Sequence, residues 1–412
     1  MTIQSLKLAL NVKKRLNVAD YRSNVILHAK GISSSLCRRY EVKALTINDD
    51  KDVVMTLSSY VRAALTPRTF LPILGSISTG VLLMTMQTTS AQAAGQYYNC
   101  ANANGCTLVD SKYFTSSYTK TQYPVVMAHG LGGFTKMFGV LDYFNGIPSE
   151  LMKGGSEVYT TKTSAVNNSE VRGEQLLQQV KTITAISGDP KVNLFGHSQG
   201  GIDIRYVAGV APKYVASVTA VSSPEQGSKT ADFVKNVLEP NNDTGEPSNV
   251  TTQLVSGVFN LIGGFTDVGS GISFKEIQAQ DGWQSLMALS TDGAAKFNAK
   301  FPAAMPTSYC GQPTSTSANG IKYYSFSGVG QVVRALDPSD YLLAATSVPF
   351  LSDANDGLVS ACSSRLGYVI RDNYIMNHLD SADQVLGLTA WGESEPKSIY
   401  RTQVNRLKNA NL

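Results

Sequence analysis

The sequence is poor in histidine and in charged side chains. Only four of its 412 residues are histidine, and Asp, Glu, Lys and Arg make up 16% of the chain, against 42% for apolar residues. This composition excludes a disordered or fibrous chain and indicates a globular protein with a sizeable core. So few histidines also leave few candidates for a reaction that needs an imidazole base.

An excess of positive charge is missing from the main part of the chain. The net charge is +4, but residues 1–93 hold 12 Lys and Arg against 5 Asp and Glu. The other 319 residues hold 23 basic and 26 acidic side chains. We therefore expect no nucleic-acid partner.

The sequence also lacks a long uninterrupted apolar run that would clearly span a membrane. Arg62 and Arg68 precede an apolar run over 70–84, and residues 91–93 (Ala-Gln-Ala) have the small-x-small pattern of a signal-peptidase site. This arrangement predicts a cleaved signal peptide over 55–93 and a secreted, extracellular protein. An uncleaved N-terminal anchor is the alternative.

The predicted signal lies unusually deep in the chain. A start at Met55 would give it an ordinary length, so residues 1–54 are expected to be a non-native upstream extension. The mature chain would then be residues 94–412, which is the size of one large α/β domain.

Cysteine is scarce, and no C-x-x-C pair occurs, so metal binding by thiolates is the weaker alternative. Cys37 lies before the predicted mature chain, which leaves an even set of four. In an exported chain such a set predicts two disulfides. The simplest of the three possible connectivities pairs Cys100 with Cys106 and Cys310 with Cys362.

Short apolar runs alternate with helical segments through the mature chain. This alternation predicts an α/β fold with a mostly parallel sheet covered by helices on both faces. The predicted strands are 123–128, 192–195 and 215–221, with helices over about 202–210 and about 383–411, the latter interrupted by a loop near 391–396.

A change of pattern between about 239 and 270 suggests a separate small element. A polar stretch leads into an apolar helical segment and then into a Gly-rich one. We expect a helical lid over about 241–265. An ordinary packed helix is the alternative.

Residues 196–200 (GHSQG) match the G-x-S-x-G pattern of a nucleophile elbow. A strand precedes them and a helix follows, and small residues flank Ser198, as the sharp turn that exposes the serine hydroxyl requires. The start of the helix also places positive dipole character beside a developing negative charge. Ser198 is therefore the predicted nucleophile of an α/β-hydrolase fold.

The base that Ser198 needs follows largely by elimination. His28 lies before the predicted mature chain, and His129 lies in the turn after the first predicted strand. The side chain of His197, beside Ser198, is not expected to reach around to the serine hydroxyl. His378, in a polar loop near the C-terminus, is the remaining candidate.

The acid of the triad is expected between Ser198 and His378, because this fold uses the chain order Ser, Asp or Glu, His. Asp356 is the predicted acid, since it precedes a Gly turn and a short apolar run. Asp353 and Asp337 are the alternatives. All three aspartates also have an ordinary interpretation as turn-forming residues.

Two backbone N–H groups are expected to stabilise the oxyanion. One belongs to Gln199, the residue after the nucleophile, and the other to Leu131 in the Gly-rich turn after the first predicted strand. Glycine there lets the backbone approach the substrate oxygen closely.

From about residue 123 to its end the chain resembles the true lipases of Gram-negative bacteria, the group typified by Pseudomonas and Burkholderia enzymes. The motifs that carry the likeness are 123–130 (YPVVMAHG), 196–201 (GHSQGG), 336–340 (LDPSD), 355–359 (NDGLV), 362–364 (CSS), 369–374 (VIRDNY), 377–380 (NHLD) and 405–409 (NRLKN).

The resemblance implies residue roles that spacing does not show. It supports the triad, the oxyanion donors and the lid named above, and it pairs Cys310 with Cys362. It also implies one structural Ca²⁺ ion, whose oxygen ligands suit that cation. The implied ligands are the carboxylates of Asp337 and Asp380 and the backbone carbonyls of Gln384 and Leu388.

The resemblance further implies partners. Similar enzymes act on lipid esters at oil–water interfaces, depend on a dedicated membrane-anchored foldase, and leave the periplasm through type II secretion. The chain departs from the family at residues 223–228 (SPEQGS), where relatives often carry a Pro-His-x-Gly-Ser stretch. The pair Cys100 and Cys106 is not part of the family pattern either.

Triacylglycerol hydrolysis through an acyl-enzyme intermediate is the leading hypothesis. The alternatives are an esterase or acyltransferase for soluble short-chain esters, and a catalytically inactive secreted protein that keeps the fold for binding. The complete set of Ser, Asp and His argues against the last. The apolar lid favours a lipase over a simple esterase.

Overall fold

The computed structural model divides into two units, Met1–Met86 and Gln87–Leu412. The described residues are 25–34, 37–46, 53–58, 94–102, 105–113, 116–133, 136–137, 141–238, 282–313, 315–334, 337–384 and 389–412. The predicted lid at 241–265, the implied calcium ligand Leu388 and residues 59–93 of the predicted signal peptide lie outside them. Among the described residues, no helix is both long enough and apolar enough to cross a membrane.

The first unit contains a three-stranded antiparallel sheet. Its strands are β1 (Val25–Ser34), β2 (Cys37–Thr46) and β3 (Val53–Ser58).

The second unit is built on one large sheet. Its strands are β4 (Ala94–Asn102), β5 (Gly105–Tyr113), β6 (Val125–Ala128), β9 (Glu157–Thr161), β10 (Val192–His197), β11 (Val215–Val221), β12 (Ser317–Ala318), β13 (Ile321–Gly328) and β14 (Tyr368–Tyr374). A small separate hairpin pairs β7 (Lys136–Met137) with β8 (Leu141–Asp142). The order across the large sheet is β12-β13-β11-β10-β6-β9-β4-β5, and β14 also pairs with β13.

Helices connect these strands. They are α1 (Ile147–Lys153), α2 (Ser169–Ser187), α3 (Gln199–Val210), α4 (Lys229–Leu238), α5 (Gly282–Leu289), α6 (Thr291–Lys300), α7 (Pro338–Thr346) and α8 (Pro396–Asn409). Short 3₁₀ turns cover Pro212–Tyr214, Val348–Phe350 and Asp380–Ala382.

The sheet is mostly parallel and is buried on both faces, which confirms the predicted fold class. Among its described strands, six pairs are parallel, and β4–β5 and β12–β13 are antiparallel. In β10, Leu194 packs into a core with α2 and α3, whereas Phe195 packs into a core with α1 and α8. Every residue of β6, β10 and β11 is buried, as expected for the centre of such a sheet.

Two strands of the sheet were not predicted. β4 and β5 precede the predicted strand at 123–128, and no residue of 105–112 in β5 is fully buried. The predicted loop near 391–396 is present, and α8 begins after it at Pro396, while residues 385–388 of the predicted helical stretch lie outside the described residues. Before α8, Asp383 and Gly392 take positive φ angles of 58° and 79°, which mark turns, and Pro396 fits the first helical position.

Candidate active site

Ser198 lies at a strained turn between β10 and α3. Its φ of 55° and ψ of −129° are unusual for a residue with a side chain and cost roughly 1–3 kcal/mol. A Cβ on Gly196 would lie 2.2 Å from the carbonyl oxygen of Gly200, and one on Gly200 would lie 2.4 Å from the oxygen of Ala128. Both glycines are therefore required by close backbone approach, as the G-x-S-x-G pattern predicts.

The Gly-rich turn after β6 packs directly against Ser198. A Cβ on Gly130 would lie only 2.6 Å from the Cβ of Ser198. Leu131 follows in the turn and lines the same cleft as Ser198. Among the described residues, the N–H groups of Leu131 and Gln199 donate to no other backbone carbonyl, so both are available for an oxyanion.

His378 and Asp356 form a buried hydrogen-bonded pair. The Nδ1 atom of His378 lies 2.9 Å from Oδ2 of Asp356, and the side chains are 4% and 0% exposed. The other carboxylate oxygen of Asp356 accepts from the N–H groups of Leu358 and Val359 at 3.1 and 2.8 Å. Because a carboxylate accepts, the neutral ring of His378 carries its proton on Nδ1, which leaves Nε2 unprotonated.

The alternative acids are engaged elsewhere. Asp353 forms an ion pair with Lys229 and accepts from the hydroxyl of Tyr309 at 2.7 Å. Asp337 caps α7, where its Oδ1 accepts from the N–H group of Ser339 at 2.8 Å. Of the three aspartates, Asp356 is the one in contact with His378.

The other two histidines of the second unit, His129 and His197, are buried. In His129, Nδ1 lies 2.8 Å from the carbonyl oxygen of Gly130, and Nε2 accepts from the N–H group of Thr163 at 3.1 Å. Burial, reinforced by the Arg172 charge, lowers the pKa of His129 to about 3. Burial likewise lowers the pKa of His197 well below its usual value. Both rings are therefore neutral near pH 7.

A buried arginine, which the sequence did not reveal, holds the turn of Leu131 in place. The Nη2 atom of Arg172 donates to the carbonyls of His129 and Gly130 at 2.8 and 3.2 Å. The Nη1 atom donates to Ala165, whose carbonyl also accepts from the N–H group of Gly132. A lone arginine within a helix carries no sequence signal for this role, because its partners come from distant loops.

Ser198, His378 and Leu131 line one open cleft. It has about 800 Å³ of empty space including its mouth, and apolar side chains form most of its walls. Its lining includes Leu131, Ser198, Pro224, Ala231, Leu286, Leu289, Leu358, Val359, His378 and Leu379.

The loop that departs from the family pattern is well anchored beside this cleft. The Glu225 carboxylate lies 2.6 Å from Nη1 of Arg205 in a buried ion pair. Further along, the hydroxyl of Ser228 donates to the carbonyl of Leu358 at 2.6 Å. The glutamate thus joins the loop to the helix that follows Ser198, and the serine joins it to the loop of Asp356.

Both predicted disulfides are present. One links Cys100 in β4 to Cys106 in β5, and the other links Cys310 to Cys362. The second joins the loop after Asp356 to a distant segment.

Two of the implied calcium ligands have an oxygen atom that fits a cation. Asp337 and Asp380 are buried, and among the described residues Oδ2 of the first and Oδ1 of the second accept no hydrogen bond. Burial, and then the charges of Asp340 and Asp337, raise the pKa of Asp380 to about 8. A divalent cation would satisfy both orphaned oxygens. No group of three or more His, Cys, Asp and Glu side chains suited to a metal occurs in the described part of the chain, and the implied set needs only two carboxylates.

Comparison with known proteins agrees with this architecture. A family model for the alpha/beta hydrolase fold matches residues 123–254. A triacylglycerol lipase of Vibrio cholerae is 46% identical over 295 residues, which cover 72% of this chain and 90% of that protein. A triacylglycerol lipase of Burkholderia plantarii is 37% identical over 343 residues, which cover 75% of this chain and 92% of that protein. The solved structure of a Bacillus licheniformis lipase in mature form aligns at 18% identity and a TM-score of 0.45, covering 69% of this chain and 92% of that one.

The parallel sheet, the strained serine turn and the family match define this chain as an α/β hydrolase. More narrowly, it belongs to the family of bacterial triacylglycerol lipases. The resemblance noted from its motifs is thereby confirmed.

Proposed function

We propose that the protein is a secreted triacylglycerol lipase that works through a Ser198–His378–Asp356 triad. The observation that carries this proposal is the buried 2.9 Å contact between His378 and Asp356, in a cleft that Ser198 also lines. A serine and an imidazole in one cleft, with a carboxylate bonded to the imidazole, form the arrangement that activates a hydroxyl nucleophile.

In the first half of the reaction, Ser198 Oγ attacks the ester carbonyl carbon while Nε2 of His378 takes its proton. Negative charge then develops on the carbonyl oxygen, where the N–H groups of Leu131 and Gln199 stabilise it. His378 returns the proton to the departing alcohol oxygen, which leaves an acyl group on Ser198. Water attacks this acyl-enzyme by the same steps and releases the fatty acid.

Asp356 keeps this cycle in the correct protonation state. Its carboxylate fixes the Nδ1–H form of His378 and stabilises the imidazolium that forms during each attack. Its second oxygen is held by two backbone N–H groups, so the carboxylate cannot rotate away from the ring.

The mostly apolar cleft supports an ester with long hydrocarbon chains as substrate, because burying apolar chains there is favourable. The relatives from Vibrio cholerae and Burkholderia plantarii are named triacylglycerol lipases, which supports the same substrate class. We therefore propose that the enzyme works on water-insoluble lipid esters at oil–water interfaces.

We also propose a structural Ca²⁺ ion, held by the carboxylates of Asp337 and Asp380 with the backbone carbonyls of Gln384 and Leu388. When bound, the ion would supply charge compensation and rigidity near the base. Asp380 already fixes that loop, since its Oδ2 accepts from the N–H group of Asn377, next to His378.

Export is proposed on chemical grounds. Two disulfides are typical of an oxidising compartment, and they agree with a signal peptide and a periplasmic stage. A membrane-anchored foldase and the type II secretion machinery are the proposed partners.

The test is hydrolysis of an emulsified long-chain triglyceride and of a soluble short-chain ester by the wild type and by Ser198→Ala. The proposal expects the wild type to accelerate when substrate passes its solubility limit, and the variant to lose at least 10⁴-fold in turnover, roughly the effect of removing a triad member. Retained turnover in the variant would overturn the triad. A wild-type rate that saturates below the solubility limit and gains nothing from an interface would indicate an esterase.

A further inference from the structure

A chain of buried hydrogen bonds connects the turn of Leu131 to the backbone of His378. The N–H group of Gly130 lies 3.0 Å from the Tyr143 hydroxyl, which lies 2.6 Å from Nδ1 of His197. On the other side of that ring, Nε2 lies 2.9 Å from the carbonyl oxygen of His378. The side chains of Tyr143 and His197 are buried. Neither side chain has a role in the mechanism above.

The direction of every bond in this chain is determined by its ends. A carbonyl oxygen only accepts, so Nε2 of His197 carries the proton and donates to His378. Nδ1 of the neutral ring then offers a lone pair, which the Tyr143 hydroxyl must fill with its own proton. The hydroxyl oxygen in turn accepts from the peptide N–H group of Gly130.

The His197 ring is neutral near neutral pH for a physical reason. Burial, helped by the neighbouring His378, lowers the pKa of His197. With a neutral imidazole and a protonated phenol, all three bonds form together in the directions given above.

We infer that His197 is a positioning residue, which fixes the peptide of the catalytic base directly and the oxyanion turn through Tyr143. We call this chain of hydrogen bonds from Gly130 through Tyr143 and His197 to His378 the relay. It rests on the proposed function, because the relative placement of His378, Leu131 and Ser198 matters only if they act together in catalysis. His197 is suited to the task because it adjoins Ser198 in sequence. One residue therefore ties the base and the oxyanion turn to the nucleophile itself.

The surroundings reinforce both ends of the relay. The carbonyl of His378 also accepts from the hydroxyl of Ser381 at 2.8 Å, and the rings of His197 and His378 lie with centroids 4.7 Å apart. At the other end, the amide of Gln384 donates to the carbonyl of Tyr143 at 3.1 Å. These contacts therefore leave His378 little freedom to shift.

Three variants each break a different set of hydrogen bonds in the relay. In His197→Gln, the amide nitrogen takes the place of Nε2 and keeps the donor to His378, but the acceptor for Tyr143 is lost. In His197→Asn, the amide oxygen takes the place of Nδ1 and keeps that acceptor, but the donor is lost. Tyr143→Phe removes a single oxygen, and with it the bonds to Gly130 and His197, with little change in volume.

The matched control is Tyr400→Phe. Tyr400 is also fully buried, and among the described residues its hydroxyl has no hydrogen-bond partner. It belongs to the same core cluster as Tyr143. Loss of its oxygen should leave kcat and KM at wild-type values.

The experiment measures kcat and KM on a soluble ester, normalised to folded active sites by burst titration, together with melting temperature. We expect each relay variant to lose about 10- to 100-fold in kcat with KM changed less than about twofold, because small misplacements of reacting groups act on the transition state. Wild-type kcat per site in all three, even with lowered melting temperature, would reduce the relay to ordinary structure and overturn it. Ser198→Ala separates the two proposals, since its retained activity would overturn the function, whereas its inactivity beside fully active relay variants would overturn only the relay.

Discussion

Arg172 and Asp203 form an ion pair from which water is fully excluded. The Nη2 atom of the arginine lies 2.9 Å from Oδ2 of the aspartate, and both side chains are 0% exposed. Burial raises the pKa of Asp203 to about 6, although Arg172 opposes that rise. A buried pair of this kind contributes little net stability, but either partner left alone is strongly destabilising. The main contribution of this ion pair is to place the Arg172 guanidinium against the carbonyls of His129 and Gly130.

Replacement of this pair should therefore separate stability from activity. Asp203→Asn is expected to lower the free energy of unfolding by about 3–5 kcal/mol, because it leaves the arginine charge uncompensated. Arg172→Lys keeps the positive charge, but a lysine cannot donate to several carbonyls at once. The substitution should therefore affect kcat more than the free energy of unfolding. Urea denaturation and ester hydrolysis measure both. Lys300→Met, which breaks an exposed pair with Glu170, is the control and should change stability by less than about 1 kcal/mol. If the substitutions at Arg172 and Asp203 had effects as small as that of Lys300→Met, the proposed role of the buried ion pair would be contradicted.

The assignment of the acid can be tested with two neighbouring aspartates. Asp356→Asn should lower kcat by roughly 10⁴-fold, since the amide favours the wrong tautomer of His378. Asp353→Asn serves as the comparison, because its carboxylate contacts Lys229 and Tyr309 instead. That variant should keep activity within a few fold of the wild type. Rates on a soluble ester decide the matter, and a larger loss at Asp353 would reverse the assignment.

Local features of the site could be predicted from the sequence. The turn at Ser198 is encoded within five residues, because the backbone beside this strained serine packs so closely that Gly196 and Gly200 have no room for a Cβ. His378 could be singled out because histidines are so few. The structure brings it together with Asp356, while the catalytic roles of all three residues stay predictions.

The supporting network could not be predicted, because its contacts join distant parts of the chain. Tyr143 is 54 residues from its partner His197, which is 181 residues from His378. Neither spacing nor hydrophobic periodicity records such contacts. The strands β4 and β5 were missed for a different reason, since their sequences are largely polar and no residue of 105–112 in β5 is fully buried.

The buried histidines should make the protein sensitive to acid. His129 has a pKa of about 3 when folded and an ordinary value near 6.5 when unfolded. As pH falls below 6.5, the unfolded chain takes up a proton that the folded state refuses, so stability is complete above that pH and declines below it. The decline is about 1.4 kcal/mol per pH unit for each such histidine.

The measurement is urea denaturation of the wild type and of His129→Gln between pH 7.5 and pH 4.5. Asp203 contributes with the opposite sign, since its raised pKa favours the folded state as pH falls, but it is present in both proteins. The difference in slope between the two proteins therefore isolates one histidine. The variant should lose less stability on acidification, and parallel curves would show that His129 is protonated in the folded protein.

Removal of calcium should destabilise the loop that carries His378. If the orphaned oxygens of Asp337 and Asp380 hold the ion, binding stabilises the folded state by about 2.7 kcal/mol when free Ca²⁺ is 100 times its Kd. Melting temperature should therefore rise with added Ca²⁺ and fall in excess chelator. Asp380→Asn should abolish this response, because it removes one charged ligand, whereas Asp353→Asn should keep it. If the melting temperature of the wild type changed with neither Ca²⁺ nor chelator, the proposed ion would be excluded. An undiminished response in Asp380→Asn would place the ion elsewhere.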